Sequence, residues 1–161
     1  MVHTILLGVH ITAGTIGLLL GPLALAVPKR AGWHPRLGVA YQGAVAVMTA
    51  SALGLAALAP GRLWGLGLIA VATEAAALAG WAVRRRHSSG WLGWHIRLMC
   101  GSYLSFVTAA LVVNWASPLA WVLPTAVGTP LIIRTVQRAT HPSIRPPSTS
   151  PPRPVRSGVS A

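Results

Sequence analysis

Long apolar stretches dominate the chain, and short clusters of Pro, Gly and basic residues separate them. A bilayer core about 30 Å thick requires about 20 mostly apolar residues in a helix that rises about 1.5 Å per residue. Five stretches meet or approach this length, over residues 4–27, 37–59, 63–83, 92–115 and 118–133. The pattern therefore predicts an all-α, polytopic transmembrane bundle of about five helices within residues 1–138.

The chain beyond the fifth stretch has a different composition. Residues 139–161 are rich in Pro, Ser and Arg and contain too few apolar side chains to form a core. They predict a disordered basic tail.

Composition alone gives a conflicting picture. A net charge of +12 and a pI near 12.0 are typical of nucleic-acid-binding proteins. However, the chain is 53% hydrophobic and only 9% charged, which leaves too little polar surface for a soluble globule. Because the basic residues lie on alternate loops and in the tail, we predict the lipid bilayer as partner and no nucleic acid.

The distribution of Lys and Arg predicts an orientation. Cytoplasmic loops of membrane proteins carry an excess of these residues. The loops after helices one and three and the whole chain after residue 133 carry eleven of the 13, whereas the loop after helix two has only Arg62. We therefore predict a protein of the inner (plasma) membrane, with its N-terminus outside and its C-terminus in the cytoplasm. Anionic lipid headgroups at the cytoplasmic face are the predicted partners of the arginines.

Tryptophan and the small residues refine this picture. All seven tryptophans lie at or near predicted helix ends, where an indole fits the membrane interface. Gly14, Gly17 and Gly21 in helix one, and a similar series in helix two, allow close approach of helix backbones. Packing within one chain and homodimerisation both explain these positions.

Glu74 is the only acidic residue, and it lies near the middle of helix three. A carboxyl group at that depth is expensive unless it is protonated, hydrogen-bonded or paired. His10 and Arg97 lie at depths from which they could reach it. We predict a ligand- or proton-binding set of His10, Glu74, Arg97 and Tyr103; the alternative is a neutral Glu74 that is hydrogen-bonded to a neighbouring helix.

A second set lies towards the cytoplasmic side. His34 and His95 fall at the same predicted level, with Met99 one helical turn deeper than His95. Two imidazoles can ligate a haem iron or a divalent metal, and His with Met suits Cu(I). Otherwise, arginines and histidines could bind an anionic headgroup or a quinone oxygen. His10 is too distant in depth to share one iron with His95. A bis-histidine haem b would use His34, which the predicted bounds place in a loop; the alternative is that these residues cap helix ends.

Acid–base hydrolysis by paired carboxylates is excluded, because the chain has one acid. We therefore predict a non-enzymatic integral membrane protein that binds or passes a small ligand or proton, with a redox or metal protein, carrying haem or copper, as the alternative.

Three motifs carry a family resemblance. His10 to Gly14, the pair Gly21-Pro22 and the segment His34-Pro35-Arg36-Leu37-Gly38, which continues to Tyr41, resemble an uncharacterised family of small bacterial predicted membrane proteins. His95, Met99, Ser102 and Tyr103 resemble its later His-x-x-x-Met-x-x-Ser-Tyr motif. The chain departs from that pattern at Pro35 and Gly101, where basic residues are expected. The resemblance implies a multi-helix membrane fold and no assigned reaction.

Overall fold

A computed structural model describes residues 1–29, 32–115 and 117–141. Five helices occupy them: α1 (Val2–Ala26), α2 (Trp33–Leu58), α3 (Pro60–Arg86), α4 (Trp91–Asn114) and α5 (Leu119–Thr140). All five are long and apolar enough to cross a membrane. The predicted all-α bundle is confirmed, and the protein is a multi-pass integral membrane protein. Most of the predicted tail, from residue 142 onward, lies outside the described residues.

Several helices extend beyond their predicted ends, and α2 and α5 do so furthest at a single end. α2 begins at Trp33 rather than at residue 37, because Pro35 falls in its first turn, where a backbone N–H has no intrahelical partner. His34 therefore lies in a helix and not in a loop. α5 continues to Thr140 rather than ending at residue 133, and at 22 residues it is about 33 Å long, enough to cross the bilayer core.

The first four helices form a ring. α1 packs on α2, α2 on α3 and α3 on α4, and α4 returns to α1, while α5 lies outside the ring against α4. Within the described residues, no Cα atom of α1 comes within 8 Å of one in α3, and the same is true of α2 and α4. These two pairs therefore face each other as the diagonals of the ring.

One end of the bundle, here called the basic end, is where α1, α3 and α5 finish and where α2 and α4 begin. It carries Lys29, Arg36 and the run Arg84, Arg85 and Arg86. Below it the ring is closed by a small core of Ala13, Tyr41, Val45, Met48 and Phe106.

Glycines of α1 allow α4 to close the ring. A Cβ at Gly17 would lie 3.0 Å from Cζ of Phe106, and a Cβ at Gly21 would collide with the ring of Tyr103. A Cβ at Gly14, by contrast, would have no neighbouring atom within 4 Å. Two of the three small residues predicted in helix one thus serve packing within the chain. Homodimerisation stays a prediction.

Candidate functional site

A cavity of about 680 Å³ opens at the basic end of the bundle. Its volume falls within the range of roughly 300–1,000 Å³ that is typical of small-molecule and cofactor sites. All five helices contribute to its wall, and aromatic rings form much of it: Tyr41, Trp81, Trp91 and Tyr103. Trp81 and Trp91 thus face the interior, whereas Trp33, Trp64, Trp94, Trp115 and Trp121 are exposed at helix ends.

Two histidines line this cavity from opposite sides. His34 stands in the first turn of α2 and His95 in the second turn of α4. Since α2 and α4 are diagonal partners, the two imidazoles enter the cavity from helices that face each other across the ring.

Each of these imidazoles is held by a backbone carbonyl of the preceding helix. Nδ1 of His34 donates to the carbonyl oxygen of Ala24 at 2.9 Å, and Nδ1 of His95 donates to that of Gly80 at 2.8 Å. The Ala24 carbonyl is free to accept because the residue four positions on, Pro28, has no N–H. Gly80 lacks a side chain, which gives room for Met99: a Cβ there would lie 3.0 Å from the Met99 sulfur.

These hydrogen bonds determine the chemistry of the other ring nitrogen. A carbonyl oxygen can only accept, so Nδ1 carries the proton in both bonds. In the neutral imidazole, Nε2 then presents a lone pair. This orientation by a second partner is the usual arrangement of metal-ligating histidines. The site therefore offers two oriented nitrogen donors.

Two cross-bundle hydrogen bonds form the floor of the cavity. The hydroxyl groups of Tyr41 and Ser102 lie 3.2 Å apart and link α2 to α4, and both residues are buried. Tyr103 donates to the carbonyl oxygen of Leu18 in α1 at 3.1 Å. That carbonyl lacks its helical partner because Pro22, four positions on, has no N–H. The Gly21-Pro22 pair thus provides both the space for the Tyr103 ring and the acceptor for its hydroxyl group.

Glu74 pairs with a residue that sequence reasoning overlooked. Nε2 of Gln42 donates to Oε1 of Glu74 at 2.7 Å, and Gln42 itself lines the cavity. Oε2 of Glu74 and Oε1 of Gln42 are buried and have no partner among the described residues. The carboxyl group of Glu74 is therefore linked to the cavity by the side-chain amide of Gln42. A hydrogen bond between Glu74 and a neighbouring helix was the alternative stated in the sequence analysis.

Basic side chains surround the mouth of the cavity. Lys29, Arg84 and His87 contribute to its wall. Nζ of Lys29 donates to the carbonyl oxygens of Ala24 and Val27, at 3.1 and 3.0 Å, and so caps the end of α1.

The structure brings together part of each predicted set. His34, His95, Met99 and Tyr103 line one cavity, and Glu74 reaches it through Gln42. His10 lies elsewhere: its Nδ1 is 3.2 Å from both the Met48 carbonyl oxygen and Ser51 Oγ of α2. Arg97 also lies outside the cavity wall, with its guanidinium 5.6 Å from the centre of the Trp94 ring.

A repeated pentapeptide could have identified the site from sequence. Residues 33–37 read Trp-His-Pro-Arg-Leu, and residues 94–98 read Trp-His-Ile-Arg-Leu. The two copies are also alike in structure, since Arg36 lies 5.7 Å from the Trp33 ring and Arg97 lies 5.6 Å from the Trp94 ring. The hairpins α1–α2 and α3–α4 therefore present their histidines in the same way. Gln42 and Arg84 follow no such signal and required the structure.

In comparisons with known proteins, no family model, no curated protein and no solved structure matches this chain. The family resemblance of its motifs stays a prediction. Functional inference therefore rests on the geometry of the cavity.

Proposed function

We propose that the protein is a membrane haem protein in which His34 and His95 are the axial ligands of a b-type haem. The observation that carries the proposal is the pair of imidazoles on diagonal helices, each with Nδ1 fixed to a carbonyl and Nε2 left for an iron atom. The haem would supply one-electron redox chemistry. The chain's part is to orient both ligands and to exclude lipid and water from the iron.

The size and lining of the cavity favour a macrocycle over a bare metal ion. Among the described residues, no group of three or more His, Cys, Asp or Glu side chains is placed to hold a metal ion, whereas a porphyrin requires only two protein ligands. The volume of about 680 Å³ and the four aromatic rings suit a large apolar plane. Cu(I) bound by His34, His95 and Met99 is the competing redox assignment.

The test is reconstitution of the detergent-purified protein with haemin. We expect one haem per chain and the low-spin spectrum of two imidazole ligands. His34→Ala and His95→Ala should each abolish the low-spin species. His10→Ala is the matched control, because His10 makes the same kind of Nδ1 hydrogen bond outside the cavity, and it should bind haem as the wild type does. No Soret band, or stoichiometric copper in the metal analysis, would overturn the proposal.

A second candidate is suggested by the unpartnered oxygens of Gln42 and Glu74. A ligand with hydroxyl groups, such as a quinol, could donate to Gln42 Oε1 and to an imidazole Nε2 in the same cavity. This is the function of binding a small, proton-bearing ligand that the sequence predicts. Quenching of tryptophan fluorescence by decylubiquinol, lost in Gln42→Leu, would support it, and equal quenching in both proteins would exclude it.

The orientation belongs to the same proposal. We infer that the basic end faces the cytoplasm, with the N-terminus outside the inner membrane, because Lys and Arg concentrate at that end. Anionic headgroups would then lie beside the mouth of the cavity. Reporters fused at Arg62 and at Ala161 test this, and a cytoplasmic signal at Arg62 or an external signal at Ala161 would contradict it.

A further inference from the structure

The charge at the mouth of the cavity indicates what kind of ligand it accepts. The guanidinium of Arg84 makes no hydrogen bond or ion pair with the described part of the chain, although Arg84 is half-buried. Glu74 is the only acidic side chain in the sequence, and it lies ten residues, or about 15 Å, deeper along α3. No acidic side chain of this protein can therefore neutralise Arg84.

The positions of the cations are also specific. Lys29 follows the end of α1, and Arg84 lies in the last turn of α3. α1 and α3 form one diagonal of the ring, and the helices that carry His34 and His95 form the other. A planar ligand held between the two histidines would stand across the histidine diagonal and would extend along the cation diagonal.

We propose that the ligand is a planar macrocycle with two carboxylates, which lie at the basic end, one on Arg84 and the other towards Lys29. This rests on the proposed function, since it assumes a planar ligand between the two histidines. Arg84 is the principal contact, because the ammonium of Lys29 already donates to carbonyls of α1. A guanidinium can bind a carboxylate through two parallel N–H groups.

Neighbouring arginines offer a matched control for the charge. Arg86 lies at the same end of α3 and is exposed, but it does not line the cavity. Arg84→Gln and Arg86→Gln remove the same charge from the same turn of helix. A role in contacting lipid headgroups would affect both variants alike, whereas a carboxylate contact distinguishes them.

The experiment is a titration of detergent-solubilised wild type, Arg84→Gln, Arg84→Lys and Arg86→Gln with haemin and with haemin dimethyl ester, in which both carboxylates are blocked. We expect Arg84→Gln to weaken haemin binding about tenfold, the effect of one charge-assisted hydrogen bond. Arg86→Gln should stay within about twofold of wild type. For the ester, the two Gln variants should be equal. Arg84→Lys, which keeps the charge, should recover most of the affinity and shows that the bundle tolerates substitution.

The outcomes separate the two proposals. If the wild type binds haemin but Arg84→Gln and Arg86→Gln are weakened equally, the loss reflects the overall positive charge at this end and the carboxylate assignment is overturned, while the haem function stands. The same holds if the wild type binds the dimethyl ester as tightly as haemin. If the wild type binds neither porphyrin with a low-spin spectrum, the haem function itself fails, and the carboxylate assignment fails with it.

Discussion

The hairpins α1–α2 and α3–α4 solve the same structural problem with partly different residues. At the basic end they agree closely: each second helix begins near a Trp-His-x-Arg-Leu segment. Each histidine donates to a carbonyl of its own first helix, at 2.9 and 2.8 Å. Two turns deeper the hairpins diverge. Seven residues after the histidine stands Tyr41 in one hairpin and Ser102 in the other, and these two residues bond to each other.

The position eight residues after each histidine is the most informative. Gln42 of α2 donates to α3, and Tyr103 of α4 donates to α1. Each thus ties its helix to the other hairpin. The acceptors differ: one is the Glu74 carboxyl group, and the other is the Leu18 carbonyl that Pro22 leaves free. The half-buried carboxyl group of Glu74 and a helix proline therefore each provide an acceptor for a hydrogen bond between the hairpins.

The two hairpins are alike at the histidines that line the cavity and unlike at the residues that hold the helices together. What the hairpins share is the pair of oriented imidazoles, which the proposed haem would need on its two faces. The hairpins differ two turns further from the basic end, where Tyr41 and Gln42 of one correspond to Ser102 and Tyr103 of the other. These unlike side chains form the hydrogen bonds between the hairpins. Substitutions in the unlike positions should therefore change stability first, and haem ligation only as a consequence.

The largest effect is expected from Gly21→Ala, which breaks the contact between α1 and α4. Its Cβ would enter the space of the Tyr103 ring, which the hydrogen bond to Leu18 holds in place. Overpacking of this kind costs about 3 kcal/mol at the upper end of its range. The free energy of unfolding, measured by SDS titration of the helical circular dichroism signal in micelles, should fall accordingly. Gly14→Ala, which meets open space, should be neutral or slightly stabilising; equal destabilisation by both would contradict the packing.

A smaller effect is expected from Gln42→Leu, which removes the hydrogen bond from Gln42 to Glu74. It leaves the carboxyl group of Glu74 buried without its donor, at a cost of about 2 kcal/mol. The double variant Gln42→Leu/Glu74→Leu removes both partners and should recover most of that loss. The same SDS titration gives the free energies of unfolding of Gln42→Leu, of the single variant Glu74→Leu and of the double variant. Additive losses in the double variant would show that the pair is not coupled.

The smallest effect is expected from Tyr103→Phe, which removes the hydrogen bond from the Tyr103 hydroxyl group to the Leu18 carbonyl oxygen. Loss of one hydrogen bond to a backbone carbonyl should destabilise the fold by about 1 kcal/mol. Pro22→Ala restores an N–H that can pair with Leu18, so Tyr103→Phe should cost less in that background. The difference, measured as a double-mutant cycle by the same titration, tests the role of the proline. An unchanged cost would mean that the carbonyl has another donor.

Much of the fold could be read from the sequence because a bilayer imposes simple requirements. Length and apolar composition predicted five helices, and the described residues form five. The helix ends were less predictable: Pro35 was read as loop, although the first turn of a helix accepts proline. In the site, the depth argument placed His34 and His95 at one level, and they line one cavity. The same argument suggested that His10 and Arg97 could reach Glu74, but depth gives no direction around a helix axis, and these residues point elsewhere.

The sequence by itself determined that the chain lies in a membrane, how many times it crosses and which end carries the charge, because these depend on composition along one dimension. Only the tertiary structure decided which polar groups meet. The order of the helices around the ring made α2 and α4 face each other, and it brought Gln42 to Glu74 and Tyr103 to Leu18. Hydrogen bonds require contact at about 3 Å in a defined direction, and that information arises only when the helices have packed.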